Sequence, residues 1–277
     1  MRIIYIFAFV FLYGNACKSQ NAFSLKSSED NSPIAYARIY ASNEIVTFSD
    51  SLGIFRIKNA KLESKFKIEA LGYKTMDSII IKGKKNILME VKPITLEEVI
   101  LTHHKKSKKY KLGKAKNGNV GIACTLQNNT ISQVSKLFKK STQNITFLDK
   151  VKFKTLCSNS NRILSVFIYS VGKNGEPDII LNNKNLICNL EKGHHAYELD
   201  LSNLNITFPE KGVFIALNYI FLDQNKSFPN KNHNWYYYEP SIDAISVDNY
   251  TDSWYNVNGL WKKSNTYSIS MQLTLSN

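Results

Sequence analysis

The side chains best suited to specific chemistry gather between Asn232 and Trp261. All three tryptophans of the chain, Trp235, Trp254 and Trp261, fall there, with Tyr236, Tyr237, Tyr238, Tyr250 and Tyr255 among Asn, Asp and Ser. A pyranose stacks its apolar face on an aromatic ring while its hydroxyls seek hydrogen bonds, so rings set among amides and hydroxyls suit a sugar-binding face. Trp235, Tyr237 and Trp254 are the candidate ligand contacts. The competing reading is structural: alternate residues of Asn234–Tyr238 pack inward, and Trp261 closes a core before the final strand. Exposure on one common side separates the two readings.

Catalytic patterns are missing. Nucleophilic catalysis needs a Ser or Cys with a positioned His, and the chain has no Gly-x-Ser-x-Gly elbow. Its histidines are His103, His104, His194, His195 and His233. Adjacent histidines on an extended chain point to opposite faces, so neither His pair chelates one metal. No His-Glu-x-x-His spacing occurs. His195-Ala196-Tyr197-Glu198 has the spacing of a zinc-peptidase ligand pair, but no α/β domain of adequate size surrounds it. Glycine loops for phosphate are absent as well. The expectation is therefore no catalytic residue, no metal and no cofactor. The rival from the enzyme class is a polysaccharide hydrolase, which needs two carboxylates facing across a cleft. Acids in the second half are frequent enough that some pair arises in any fold.

Four cysteines occur, Cys17, Cys124, Cys157 and Cys188. The last three form no disulfide framework and no Cys-x-x-Cys. One pair with a free thiol and three buried thiols are both open readings.

The N-terminus is a charged Met1-Arg2 followed by an apolar run from Ile3 to Tyr13. That run is too short to span a bilayer as a helix and suits a secretory signal, residues 1–16. Gly14-Asn15-Ala16 supplies small residues before Cys17. Cys17 is thus the candidate lipidation site of a lipoprotein, although Gly14 stands where the usual lipobox carries Leu. A plain signal peptide is the other reading. Either places the chain outside the cytoplasm, in the periplasm, outer membrane or cell surface, with membrane contact only through an N-terminal lipid anchor.

The net charge is +14, from 36 Lys plus Arg against 22 Asp plus Glu. An exported basic chain meets anionic lipid or lipopolysaccharide more readily than nucleic acid, so no nucleic-acid partner is expected. Envelope proteins or surface glycans are the expected partners. The charge concentrates in His103–Lys116, with seven lysines and no acid. This run reads as a solvated linker over 102–116, with an electrostatic contact to anionic lipid as the sharper alternative.

The elements on either side are strands. Ala35, Ala37, Ile39 and Ala41 alternate with Tyr36, Arg38 and Tyr40; Phe55 and Ile57, then Phe66, Ile68 and Ala70, repeat the period of two, and Ile87, Met89 and Val91 close it. In Asp50-Ser51-Leu52-Gly53, Asp50 caps a turn and Gly53 takes a positive φ. Beyond the lysines, Ile163–Val171 and Val213–Leu222 are apolar on both faces, and Tyr267–Leu275 alternates like a strand with one wet face. Only Ile131–Lys140 shows helical spacing, through Val134, Leu137 and Phe138. The fold class expected is all-β, with two β-sandwich domains over 21–101 and 117–277.

Two resemblances follow. Ser32-Pro33-Ile34-Ala35-Tyr36-Ala37-Arg38-Ile39-Tyr40, Ser49–Ile57, Leu71-Gly72-Tyr73 and Leu96-Glu97-Glu98-Val99-Ile100-Leu101 resemble the carboxypeptidase-like regulatory domain, a transthyretin-like sandwich of Gram-negative envelope proteins. Leu148–Phe153, Val166–Tyr169, Gly175-Glu176-Pro177, Leu199–Ser202 and Gly212–Leu217 are similar to the jelly-roll-like sandwich that often follows it. Both motif sets fix turns and core rather than a reaction. The resemblance implies a non-catalytic binding or scaffolding module of the envelope, with a carbohydrate-binding module, or an accessory of a TonB-dependent outer-membrane system, as alternatives.

Overall fold

A computed structural model describes residues 20–58, 62–92, 108–125, 130–139, 146–228, 236–249 and 251–277. Residues 1–16, read above as a secretory signal, and Cys17, His103, His104, His233, Trp235 and Leu96–Leu101 lie outside the described residues. The chain divides into two compact units, Met1–Val91 and Lys92–Asn277. Both are built from strands, and no α-helix occurs among the described residues.

The first unit contains β1 (Gln20–Ser27), β2 (Arg38–Ala41), β3 (Glu44–Phe48), β4 (Ile54–Lys58), β5 (Phe66–Glu69), β6 (Met76–Ile79) and β7 (Asn86–Met89). They form a three-stranded sheet, β4-β1-β7, and a four-stranded sheet, β3-β2-β5-β6. Phe23 and Leu25 of β1, Phe55 and Ile57 of β4, Ile39 of β2 and Ile68 of β5 meet in one buried core. The alternating apolar residues therefore face each other between two sheets, the arrangement of a sandwich. The Asp50 turn forms as its residue types require. Asp50 Oδ1 accepts the N–H groups of Leu52 and Ile54, each at 2.9 Å. Gly53 has φ +72°, and a Cβ there would lie 2.6 Å from the Leu25 carbonyl oxygen.

The second unit holds β8 (Lys109–Lys114), β9 (Val120–Cys124), β10 (Ile131–Phe138), β11 (Phe147–Cys157), β12 (Arg162–Val171), β13 (Pro177–Ile180), β14 (Leu186–Leu190) and β15 (Gly193–Asp200). It continues with β16 (Val213–Tyr219), β17 (Lys226–Ser227), β18 (Tyr237–Ser246), β19 (Ser253–Val257), β20 (Leu260–Lys263), β21 (Tyr267–Ile269) and β22 (Met271–Ser276). One sheet has seven strands, ordered β13-β12-β16-β10-β19-β20 with β14 also on β12. The other has eight, ordered β17-β18-β11-β22-β8, with β15 on β11 and β9 and β21 on β18.

Three sequence expectations are corrected here. Within the proposed 102–116 linker, Lys109–Lys114 is strand β8, paired antiparallel with β22. Half-buried Tyr110 and Leu112 alternate with exposed Lys109 and Lys111, a period of two masked by the lysine count. Ile131–Phe138 is not helical but the strand between β16 and β19. It is buried on both sides, so Ser132, Gln133 and Ser135 are enclosed with Val134 and Phe138, and no alternation survives. The segment from Tyr267 breaks at Ser270 into β21 and β22, which pair with different strands. Its expected wet face is largely covered: Ser270, Thr274 and Ser276 are buried.

The sheets of the second unit are joined by polar groups as well as by core. Tyr219 Oη donates to the Ile122 carbonyl. Asn225 accepts the Ile163 N–H at 2.9 Å and donates to the carbonyls of Ile163 and Ile220, which satisfies a fully buried amide. Arg162 Nε donates to Glu239 Oε2 at 2.7 Å, and Ser158 N–H donates to Glu239 Oε1 at 2.8 Å. Burial pushes the Glu239 carboxyl up, but the Ser158 and Arg162 hydrogen bonds outweigh it and hold the group below its ordinary value.

The described cysteines are free and serve as core residues. Cys124 and Cys157 are buried and Cys188 is half-buried. Burial raises all three thiols, Cys188 to about 11 and Cys157 to about 12, which makes them poor nucleophiles at neutral pH.

Two measurements check this account. Arg162→Met should cost about 3–5 kcal/mol in urea unfolding, because it leaves Glu239 buried and unpaired. The double variant Arg162→Met/Glu239→Leu should recover most of that loss; equal losses would contradict the pairing. The Glu239 contribution is present above the unfolded carboxylate pKa and disappears as pH falls through the depressed folded value, so the double variant should lose less stability on acidification. In native protein, a thiol reagent should label Cys188 before Cys124 and Cys157, which should await unfolding. Labelling of all three at one rate would contradict their placement.

Candidate functional site

In β10, β12, β16, β19 and β20, ladder register sends alternate residues to two faces. One set includes Val134, Lys136, Phe138, Val166, Ile215, Leu217, Tyr219 and Tyr255. This set meets the eight-stranded sheet. Lys136 Nζ donates to the Ile269 carbonyl at 2.9 Å, and Tyr219 Oη reaches Ile122.

The other face carries three cross-strand rows. Tyr169, Phe214 and Leu137 form the first. Phe167, Ala216, Ser135, Trp254 and Lys263 form the second. Ser165, Asn218, Gln133, Asn256 and Trp261 form the third. At about 4.8 Å per strand, β12 and β20 would stand roughly 19 Å apart in a flat sheet. Yet the rings of Tyr169 on β12 and Trp261 on β20 meet edge to face, centroids 5.5 Å apart at 78°. The sheet is therefore curled with this face on the inside of the curve, and the two rings reach toward each other across the strands between them. Trp254 packs edge to face on Phe214 in the same way, at 6.0 Å and 84°.

Beneath these rings the floor is polar. Tyr169 Oη donates to Gln133 Oε1 at 2.9 Å. Asn218 Nδ2 donates to Ser165 Oγ at 2.8 Å. Asn256 Oδ1 accepts from Ser132 Oγ at 3.1 Å and from the Gly259 N–H at 3.0 Å. Asn218 is 1% exposed, and its Oδ1 has no hydrogen-bond partner among the described residues. Leaving a buried acceptor unmade costs about 1–3 kcal/mol. The curled face thus combines aromatic rings with amides and hydroxyls; Phe214, Ala216, Ser135, Gln133, Asn218, Tyr169 and Phe167 on it are buried, and Trp254 and Trp261 are half-buried.

Of the residues singled out in the sequence, Trp254 lies on this face, half-buried. Tyr237 does not join it: it sits on β18 in the opposite sheet, opposite Ser227. Trp235 lies outside the described residues. Trp261, half-buried on edge strand β20, packs its ring on buried Tyr169. Tyr169, Phe214 and Asn218 were not singled out, because Ile163–Val171 and Val213–Leu222 read as strands apolar on both faces, and both are indeed buried on both faces; Gln133 lay in the segment read as helical.

The histidine and carboxylate candidates are placed apart. His195 and Glu198 lie opposite Thr155 and Lys152 on β11, three residues apart and so on opposite faces of β15. His195 Nε2 lies 2.8 Å from the Lys192 carbonyl, and Glu198 pairs with Lys150 at 2.7 Å. The hydrogen bond from Lys150 leads the causes that hold the Glu198 carboxyl low, reinforced by the charges of Lys150, Lys152 and Lys111. His194 Nε2 lies 2.7 Å from Asp243 Oδ2, which also accepts the Gly118 N–H at 3.0 Å. Among the described residues no three His, Cys, Asp or Glu side chains gather as a metal site. No helix among them is long and apolar enough to cross a membrane.

No protein-family model matches the chain, and no curated protein matches it. Among solved structures it is similar to the cysteine protease and lectin-like domains of a surface layer associated protein of Clostridium difficile, at 11% identity and a TM-score of 0.44. That match covers 93% of this chain but only 63% of the other, so the chain spans less than two thirds of it. A clostridial cysteine protease after propeptide cleavage is similar at 12% identity, with 93% and 70% of the two chains covered and a TM-score of 0.42. A structure of infectious bursal disease virus is similar at 10% identity, with 95% and 61% covered and a TM-score of 0.29.

Proposed function

We propose that this chain is a non-catalytic, exported binding module of the cell envelope and that its ligand is a carbohydrate held in the curled face of the seven-stranded sheet. On this reading the first sandwich is a carboxypeptidase-like regulatory domain and serves as scaffold. The observation that supports the reading is the meeting of the Tyr169 and Trp261 rings on a face that also carries the amides of Gln133, Asn218 and Asn256. A lipid would match the rings but not the amides and hydroxyls beside them; a purely polar ligand would leave the rings idle. A pyranose satisfies both, its C–H face against a ring and a hydroxyl donating to the amide oxygen. Trp261 stands on an edge strand, where its side chain is freest to part from Tyr169 and admit a sugar.

Calorimetry against a panel of neutral oligosaccharides tests this. At least one should bind. Trp261→Ala and Trp254→Ala should each weaken it about thirtyfold, equivalent to about 2 kcal/mol, the scale of a binding hot spot. Tyr237→Ala, in the opposite sheet, should leave affinity unchanged. A blank panel, or equal loss on changing Tyr237, would overturn the assignment.

A further inference from the structure

The second unit holds another hollow, of about 480 Å³, whose lining is basic. Lys111 and Lys114 of β8, Lys116 just beyond it and Lys136 of β10 border it, with Ser268 and Ser270. Two residues three apart on a regular strand point to opposite faces. Lys111 and Lys114 border the same hollow because Gly113 between them has φ +72°, which breaks the alternation. That backbone suits glycine, and a Cβ there would meet the Met271 carbonyl oxygen at 2.6 Å.

The four ammonium groups are not equivalent. Lys136 is buried, and its Nζ is held by the Ile269 carbonyl at 2.9 Å, Ser268 Oγ at 3.2 Å and Asp252 Oδ2 at 3.3 Å. Its charge is therefore matched by Asp252. The hydroxyls are also engaged, Ser268 Oγ donating to Asp252 Oδ1 and Ser270 Oγ to the Lys116 carbonyl. Lys111, Lys114 and Lys116 make no ion pair among the described residues. The nearby carboxylate of Glu198 feels Lys111 but is bonded to Lys150. Three lysines without an ion pair among the described residues thus border one open hollow, each with rotatable N–H donors.

We infer that this hollow is an anion site for a phosphoryl or sulfuryl group, a phosphate or sulfate ester borne on a larger molecule. Three unpaired cations suit an oxyanion with several acceptor oxygens, or several such groups on one molecule, better than a single carboxylate. The volume exceeds what a bare ion fills and falls in the ordinary range of ligand sites, about 300–1,000 Å³. The inference stands apart from the sugar-binding reading, since it uses other residues.

The test uses the full mature chain with four probes: inorganic phosphate, a sulfated oligosaccharide, phosphatidylglycerol vesicles and neutral phosphatidylcholine vesicles. Phosphate should shift the side-chain NMR signals of Lys111, Lys114 and Lys116, and added salt should weaken the effect. The triple variant K111Q/K114Q/K116Q should lose about tenfold or more in affinity for whichever larger probe binds. Lys173, Lys184 and Lys192 are exposed lysines of the same unit away from the hollow, and K173Q/K184Q/K192Q, which removes the same charge, should lose less than about twofold. Capture of phosphatidylglycerol vesicles alone assigns a lipid phosphate, and capture of the sulfated sugar alone assigns a glycan ester; either supports the site. Equal loss in the two triple variants, or no binding of any anionic probe, would overturn it.

Discussion

The second unit depends on the register of β10 between β16 and β19. Because side chains alternate along a strand, a slip of one residue would exchange its two faces. Val134, Lys136 and Phe138 would leave the inter-sheet core, and Gln133 and Ser135 would enter it. Specific bonds hold the register. Lys136 is tied to Ile269, Ser268 and Asp252, while the Ile269 N–H donates to Ser253 Oγ at 2.8 Å on neighbouring β19. One strand thus closes the sandwich with one face and floors the curled site with the other.

The buried polar groups of this unit divide into two kinds. Asn225 meets its acceptor and donor requirements with backbone partners, and Glu239 is met by Arg162 and Ser158. Both groups fix chain segments in place. Asn218 differs: its amide nitrogen is bonded to Ser165, while its oxygen, like buried side-chain oxygens of Thr146, Thr155, Glu176, Tyr267 and Ser276, has no hydrogen-bond partner among the described residues. The basic hollow follows a related logic: one lysine is matched by Asp252, and three are not.

Much of the architecture was legible in the residues. Alternation marked the strands of the first unit, where each sheet has one buried face, and Asp50 with Gly53 marked their turn. Legibility failed where alternation failed. β10 is enclosed on both sides, so its apolar spacing imitated a helix, and β8 was concealed by lysines whose alternate partners, Tyr110 and Leu112, are its buried side. The site was read only in part for the same reason. Trp254 stood out as an aromatic among polar residues, but Tyr237, close to it in sequence, belongs to the other sheet. Gln133 and Asn218 meet through the pairing of β10 with β16, and Tyr169 and Trp261 through the curl of the sheet, which no local pattern encodes.

The most direct test of the central claim is a map of ligand-induced NMR shifts on the full mature chain, titrated with a bound neutral oligosaccharide. The indole N–H signals of Trp254 and Trp261 and the side-chain amides of Asn218 and Gln133 should move together and saturate at one concentration, while backbone signals of β18 around Tyr237 stay in place. Shifts confined to β18, or to the first unit, with the Trp261 and Asn218 signals unmoved, would contradict the account.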